Sequence, residues 1–219
     1  AGHILSTYDL DCDGKVDDSL STGTNHSCVL DSKMALHCWG DNSFGQTQVP
    51  TGRFVQVSAG DRHTCALTEE QHIQCWGDNT SQQTQAPEGV FVSISSGEDF
   101  SCALSSTSEV VCWGDISNGV GLPPSEPLAS ISAGQDHICG LSDSGDLLCW
   151  GSNEYEQLDV PSGQFLNVSS GAGFSCAIDS GSNLECWGKS EPQSNELLQN
   201  VAVGTDHVCV VNSTLGADC

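Results

Sequence analysis

The sequence predicts an all-β protein built from a tandem repeat of short antiparallel units, and three observations lead to this fold class. Twelve of the thirteen cysteines form pairs whose members are ten residues apart. The first cysteines of successive pairs recur every 37 residues, with a last step of 33. A glycine stands five positions before each first cysteine, and Trp-Gly follows five of the six second cysteines. A period of this length is typical of a solenoid, a propeller or an array.

Each repeat contains three predicted strands. Residues 54, 56 and 58 alternate with residues 55, 57 and 59, which is the period of two expected of a strand, and Gly60 ends it. Residues 63–67 form the next strand and residues 73–76 the third, with a short polar turn between them. The second and third strands therefore form a hairpin. The roughly fifteen residues after each Trp-Gly are punctuated by Gly, Asn and Pro, and we expect them to connect one repeat to the next.

The cysteine pairs match the hairpins. Facing residues on adjacent antiparallel strands have Cα atoms about 4.5–5.5 Å apart, a separation that a disulfide can bridge. Periodicity alone does not prove the connectivity, but any other pairing would break the symmetry of the repeat. The expected disulfides are Cys28 with Cys38, Cys65 with Cys75, Cys102 with Cys112, Cys139 with Cys149, Cys176 with Cys186 and Cys209 with Cys219.

Composition excludes several classes of function. Five Lys and Arg stand against 29 Asp and Glu, which gives a net charge of −24 and disfavours binding to nucleic acid. No apolar run is long enough to span a membrane. The cysteines contain no CxxC pair, so zinc and iron–sulfur clusters are disfavoured and an oxidising compartment is favoured. Because the chain opens on Ala1, we expect a processed form that is secreted, extracellular or at the cell surface.

The repeat resembles a known family. The unit that reads V-S-A-G-x-x-H-x-C-A-L…C-W-G-D-N…G-Q resembles the regulator of chromosome condensation repeat. In its short period and its expected secretion, the chain is similar to the propeller-type β-lactamase inhibitor proteins. The matching positions are Gly60, His63, Ala66, Leu67, Trp76, Gly77, Asn79 and the Gln cluster that follows. The resemblance covers roughly residues 20–219 and implies a β-propeller, a ring of short antiparallel blades. Chromosomal members act on a small GTPase and touch chromatin, which the paired cysteines and the acidic charge contradict here.

The N-terminal segment, residues 1–19, is expected to be separate from the propeller at 20–219. Family rings usually have seven blades, and residues 2–12 could form a degenerate seventh unit in which Leu10 and Cys12 take the third-strand positions. Alternatively, the segment holds Ca²⁺, because its carboxylates follow the spacing of an EF-hand-like loop around Gly14. The predicted ligands are Asp9, Asp11, Asp13, Lys15 through its carbonyl, and Asp17. No organic cofactor is expected.

Several single positions have a functional and a structural interpretation. Cys12 has no partner in the repeat and is expected to be a free thiol or to form an intermolecular bond. Histidines at one repeat position (His26, His63, His137, His207) exchange with Phe100 and Phe174, which favours packing over catalysis. Acidic residues just before that position would lie on one face of a ring, either as a solvated rim or as a cation-binding surface: Asp61, Glu98, Asp99, Asp136 and Asp206. Candidate N-glycosylation sites are Asn25, Asn79, Asn167 and Asn212.

The predicted function is not enzymatic. No nucleophile–base pair, phosphate-binding loop or zinc set stands out above the repeat. Repeat scaffolds generally use exposed loops for recognition. We therefore expect an extracellular structural or interaction scaffold that associates with itself or with a protein partner, such as a subunit of a surface assembly or fibre. The alternative is a soluble protein-binding module or inhibitor that uses one face of the propeller.

Overall fold

A computed structural model describes residues 3–4, 19–31, 33–189, 197–212 and 217–219 of the chain. Every regular element within these ranges is a β-strand, and the strands form six antiparallel sheets. No helix in the described ranges is long and apolar enough to cross a membrane. The predicted all-β propeller is confirmed.

Each sheet is one blade, with a first, a second and a third strand in chain order. The first strands are β2 (Ser19–Thr22), β5 (Phe54–Ala59), β8 (Phe91–Ser96), β11 (Ser130–Ala133), β14 (Phe165–Ser170) and β17 (Leu198–Val203). The second strands are β3 (His26–Leu30), β6 (His63–Thr68), β9 (Phe100–Ser105), β12 (His137–Leu141), β15 (Phe174–Asp179) and β18 (Val208–Asn212). The third strands are β4 (Leu36–Gly40), β7 (Ile73–Gly77), β10 (Val110–Gly114), β13 (Leu147–Gly151), β16 (Leu184–Gly188) and β19 (Ala217–Asp218).

One disulfide closes the hairpin of each blade. Cys65 and Cys75 stand directly opposite each other in the register of β6 and β7, and their Cα atoms are 4.1 Å apart. All six bonds join cysteines ten residues apart, which is the pairing expected from the repeat. The bonded pairs are Cys28 with Cys38, Cys65 with Cys75, Cys102 with Cys112, Cys139 with Cys149, Cys176 with Cys186, and Cys209 with Cys219.

The two cysteines of a pair differ in their surroundings. In blades 1 to 5 the cysteine on the second strand is fully buried. Its partner on the third strand is only partly buried, as at Cys38, Cys149 and Cys186, and Cys219 in blade 6 is exposed. Because every bond lies within one blade, the contacts between blades depend on non-covalent packing.

The hydrophobic core lies between blades rather than within them, because a three-stranded blade is too small to enclose a core of its own. We call the contact between two consecutive blades a seam. At the seam between blades 2 and 3, Cys65 and Leu67 of β6 pack with Phe91, Ile94 and Trp113 of the next blade. Comparable clusters occupy the other seams from blade 1 to blade 6.

A β-bulge changes the predicted alternation of the first strand. The register of β5 against β6 shifts between Phe54 and Gln56, so Val55 is the extra residue. Phe54 and Val57 consequently face the same core, whereas Val55 is 46% exposed. The same shift occurs in β8, β14 and β17. The sequence-based assignment of residues 55, 57 and 59 to one side of the strand was therefore wrong at residue 55.

The described part of the N-terminal segment joins blade 1. Strand β1 (His3–Ile4) pairs antiparallel with β2 and also contacts β17 of blade 6. These two residues of the expected seventh unit thus form the edge strand of the first sheet, which has four strands in the order β1-β2-β3-β4. Residues 5–12 of that unit lie outside the described residues.

Candidate functional site at the central cavity

A ring of glycines brings the six blades together around the axis. The repeat glycine follows each first strand, and a Cβ atom added to Gly60 would lie 2.6 Å from the carbonyl oxygen of Gly97. The same contact with the next blade's glycine carbonyl recurs at Gly23, Gly97, Gly134 and Gly171. Any side chain at these five positions would collide with backbone, so the close approach of consecutive blades explains why glycine recurs there.

The glycine ring surrounds a cavity of about 300 Å³ at one end of the first strands. All six blades contribute to it. Its polar lining includes Thr24, Asp61, Glu98, Gln135, Thr205 and His207. We call this end of the ring the cavity face; the hairpin turns lie at the opposite end of the strands, because Phe54 at the start of β5 pairs with Thr68 at the end of β6.

A ladder of serine side chains connects neighbouring first strands. The Ser21 Oγ accepts a hydrogen bond of 2.9 Å from the backbone N–H of Ala59 in the next blade, and the Ser58 Oγ accepts one from Ser96. Ser95, Ser132 and Ser169 do the same toward Ala133, Ser170 and Val203. These bonds satisfy buried backbone donors and join neighbouring blades along the cavity wall.

The repeated tryptophans secure the loops between blades. The indole Nε1 of Trp113 donates to the carbonyl of Gln83 in the preceding blade's loop at 2.9 Å. The Gln83 side chain is fully buried; its Oε1 accepts from the Ser81 N–H and its Nε2 donates to an Asp99 carboxylate oxygen. Trp76, Trp150 and Trp187 make equivalent bonds. The Gln cluster thus has a structural role in building the rim of the cavity face.

Three of the four recurring histidines connect second strands across seams. Nε2 of His63 is 2.8 Å from the Ser101 Oγ, and the corresponding pairs are His26 with Thr64 and His137 with Ser175. All three imidazoles are buried. Burial lowers the pKa of His63 to about 4, mainly because desolvation disfavours the charged ring. His26, His63 and His137 are buried packing groups, as the exchange with phenylalanine predicts, whereas His207 at the same repeat position is exposed and lines the cavity instead.

Negative charge is concentrated where blades 2 and 3 meet the cavity face. Burial raises the pKa of Asp99, and the carboxylates of Glu98, Asp78 and Asp61 raise it further, against an opposing effect of Arg62. The Nε atom of Arg62 lies 3.3 Å from the Oδ2 atom of Asp61, and the Arg62 guanidinium also stacks over the Phe44 ring. The Glu98 carboxylate accepts a 2.7 Å hydrogen bond from Gln135 of blade 4. This arrangement can attract a cationic group, since carboxylates outnumber cations there.

Two sequence-based predictions fall outside the described residues. The calcium ligands Asp9, Asp11, Asp13, Lys15 and Asp17 lie there, as does Cys12. Within the ranges that the structure describes, no group of three or more His, Cys, Asp or Glu side chains is placed to hold a metal ion. The calcium site therefore stays a prediction.

The four glycosylation candidates have different surroundings. Asn25 and Asn79 are exposed on loops, and Asn79 accepts a hydrogen bond from the Thr84 N–H through Oδ1. Asn167 is partly buried, and the amide nitrogen that would carry a glycan donates to Asn200 of the next blade at 3.1 Å. Asn212 ends β18 opposite Leu198. A glycan is compatible with the folded ring at Asn25 and Asn79, whereas at Asn167 it would break a contact between blades.

Sequence reasoning placed the acidic residues on one face but missed the cavity that two of them, Asp61 and Glu98, line. Thr24 and Gln135 line it as well, although neither stands out in the sequence. The available signal was positional, because each lining residue lies within three positions of the repeat glycine. Charge alone could not identify a cavity, which arises only when all six glycines converge.

Comparisons with known proteins agree with this geometry. A family model described as the regulator of chromosome condensation (RCC1) repeat matches residues 18–46, 54–83, 91–121 and 128–157, more than half of the chain. No curated protein sequence matches the chain.

Solved structures similar to this chain include two plant receptor ectodomains. The entire ectodomain of the receptor kinase CR4 from Physcomitrella patens is 29% identical with a TM-score of 0.83; the match covers 93% of this chain and 61% of that one. This chain thus spans less than two thirds of the moss ectodomain. The CRINKLY WD40 ectodomain of the receptor kinase ACR4 from Arabidopsis thaliana is 31% identical with a TM-score of 0.77, covering 89% and 74%.

A more distant structure supports the fold alone. Prp20p from Saccharomyces cerevisiae, whose description names binding to Gsp1p and histones, is 16% identical with a TM-score of 0.79. The match covers 94% of this chain and 72% of Prp20p.

Proposed function

Because this chain belongs to the regulator of chromosome condensation (RCC1) repeat family, we propose that it is an extracellular protein-binding module, not an enzyme, that contacts its partner with the cavity face. The extracellular assignment is supported by the six disulfides and by the similarity to two receptor kinase ectodomains.

The observation that carries the proposal is the acidic cavity to which all six blades contribute. Asp61 and Glu98 line it, and beside them burial, followed by the neighbouring carboxylates, raises the pKa of Asp99. Hydrogen bonds between neighbouring first strands hold the cavity wall together, so these groups need little reordering when a ligand arrives. A protein segment that presents Lys or Arg is the complementary partner, whereas a polyanion would be repelled.

Titration calorimetry with a six-residue oligolysine peptide, at 150 mM salt, tests this proposal. The unmodified protein is expected to bind the peptide, and Asp61→Asn with Glu98→Gln to weaken binding by about tenfold, because both substitutions remove carboxylates that line the cavity. The matched control is Glu69→Gln with Glu70→Gln, which removes the same charge at an exposed hairpin turn on the opposite face. Equal weakening by the two variants would mean that only net charge matters and would overturn the proposal.

Self-assembly is the second candidate. It is favoured by the seam between blades 6 and 1, where Trp39 is 51% exposed and His207 is also exposed. Assembly into a surface layer or fibre would cover these groups with another copy of the chain. Sedimentation velocity at high protein concentration distinguishes the candidates: larger species that Trp39→Ala abolishes support assembly, and a single monomeric species excludes it.

A further inference from the structure

We propose that His26 and His63 make the seams between blades 1 and 2 and between blades 2 and 3 the acid-sensitive part of the ring. Mild acidification is expected to open these two seams while each blade keeps its cross-linked hairpin. The inference concerns the stability of the ring and does not depend on what the cavity face binds.

Hydrogen bonding fixes the tautomer of both imidazoles. The Ser101 hydroxyl donates to the Ser96 Oγ at 3.0 Å, so it must accept from Nε2–H of His63. The Thr64 hydroxyl likewise donates to the Gln46 carbonyl at 2.8 Å, so it accepts from Nε2–H of His26. Each ring therefore has its proton on Nε2 and a bare lone pair on Nδ1.

A second proton would have nowhere favourable to go. Nδ1 of His26 and Nδ1 of His63 are buried and have no hydrogen-bond partner among the described residues. Each Nδ1 packs against a glycine of the cavity ring. A Cβ added to Gly60 would lie 2.7 Å from Nδ1 of His63, and one added to Gly23 would lie 2.9 Å from Nδ1 of His26. Protonation would create a buried charge and an unsatisfied donor at a seam, and both destabilise the closed state.

Neighbouring charges offset this cost only in part. Desolvation is the largest effect on both rings and lowers the pKa of each. The carboxylates of Asp61 and Asp41 raise the pKa of His26. Asp78 raises the pKa of His63, whereas His26 lowers it further, so the two rings oppose each other's protonation.

The sign of the pH effect follows from these directions. A histidine whose pKa is lower in the closed ring than in water contributes stability that is present above pH 6.5 and is lost as the pH falls toward the folded value. For His63, with a folded pKa of about 4, opening is favoured by about 30-fold at pH 5 relative to pH 7.5. Carboxylates such as Asp31 and Asp179 have pKa values lowered from the usual 3.8. Their contribution to stability is therefore lost mainly at a pH well below 5.

The chain contains two seams without this device. Phe100 takes the histidine position in blade 3, and Ile138 takes the position of Ser101 in the next blade. Phe174 of blade 5 is followed in the same way by Val208 of blade 6. These two seams therefore contain an apolar pair where the histidine seams contain a polar pair. The apolar pairs have no group that can be protonated.

The seam between blades 4 and 5 is a third type. His137 bonds to Ser175 in the same way, but a carboxylate oxygen of Asp136 lies 3.8 Å from its Nδ1. No such carboxylate stands within ion-pair distance of Nδ1 in His26 or His63 among the described residues. The proposal is therefore restricted to the first two seams.

Hydrogen exchange of single backbone amides provides the test. The Ala59 and Ser96 amides donate across the two histidine seams, and the Ala133 and Val203 amides donate across the two phenylalanine seams. After correction for intrinsic exchange rates, lowering the pH from 7.5 to 5 should reduce protection of Ala59 and Ser96 at least tenfold more than that of Ala133 and Val203. A uniform change at all four amides would overturn the proposal.

A variant with a swapped seam separates titration from packing. His63→Phe together with Ser101→Ile copies the pair that the neighbouring seam already uses. The variant should match the unmodified protein at pH 7.5 but keep the protection of Ser96 at pH 5. If Ser96 loses protection in the variant as in the unmodified protein, His63 is not the sensor. Should the variant fail to fold, a native-state NMR titration of the His63 ring decides, because protonation already near pH 6.5 would contradict the proposal.

Discussion

The tryptophan that follows a second cysteine donates a hydrogen bond to a neighbouring loop at four seams, whereas Trp39 of blade 1 has no such partner among the described residues. Trp113, Trp150 and Trp187 are 5–8% exposed and donate to a loop carbonyl of the preceding blade, whereas Trp39 is 51% exposed. Among the described residues, no acceptor faces the Trp39 indole nitrogen. One residue type at one repeat position thus has two energetic roles, which depend on whether a preceding blade covers it.

Substituting these two tryptophans should therefore have unequal effects. Trp113→Phe removes the hydrogen bond to Gln83 and leaves its carbonyl unsatisfied, so we expect the free energy of unfolding to fall by about 1–2 kcal/mol. Trp39→Phe, the matched control, should change it by less than about 0.5 kcal/mol. Urea unfolding measures both. A loss at Trp39 as large as that at Trp113 would show that Trp39 is covered in solution where blades 6 and 1 meet.

The acidic N-terminal segment carries a separate proposal at the residue scale. We propose that Asp9, Asp11, Asp13 and Asp17, with the Lys15 carbonyl, bind Ca²⁺, because carboxylate and carbonyl oxygens at this spacing suit that ion. Calorimetric titration with CaCl₂ should give saturable heat that Asp11→Ala with Asp13→Ala removes. Indistinguishable heats for the two proteins would leave the segment as a solvated acidic stretch.

At the scale of the strand, the sequence was sufficient to predict each hairpin and insufficient to predict the bulges. The strands β6 and β7 agree with the predicted residues 63–67 and 73–76 to within one residue, because the cysteine spacing and the turn both act locally. The bulge at Val55 depends on how β5 pairs with β6 and how Phe54 reaches the neighbouring core. Local alternation contains no information on either contact.

Removing one disulfide should weaken its hairpin by a predictable amount. In the chain-entropy model, closing a loop of about ten residues contributes about 2–3 kcal/mol. Cys102→Ala with Cys112→Ala is expected to reduce the free energy of unfolding by at least that amount, because Cys102 also belongs to the core between blades 3 and 4. Urea unfolding under non-reducing conditions checks this expectation. A double variant as stable as the unmodified protein would refute the role assigned to the disulfide.

At the scale of the whole molecule, six blades surround one cavity through contacts that differ from seam to seam. Core clusters fill the five seams from blade 1 to blade 6, while β1 lies between β2 and β17 where blades 6 and 1 meet. The repeat predicted the regular seams, because every blade contributes the same Gly, Cys and Trp positions. It could not predict the meeting of the first and last blades, which involves a segment outside the repeat.

The acidic cavity links this architecture to the proposed function. The glycines that let the blades meet directly precede Asp61 and Glu98, which line the cavity, so one repeated position determines both the approach of the blades and the placement of the residues proposed to bind a partner. The sequence predicted the side chains and their common face. Their convergence on a cavity depends on the number and curvature of the blades, which no single repeat encodes.

Hydrogen exchange with and without saturating oligolysine peptide, at pH 7.5, tests most directly whether the cavity face is the binding surface. Peptide binding is expected to slow exchange in segments that border the cavity, at residues 22–24, 59–61, 96–98 and 134–135. The hairpin turns at residues 68–72 and 105–109 should be unchanged, since they lie at the opposite end of the strands. Protection concentrated at those turns, or spread evenly over all acidic segments, would contradict the account.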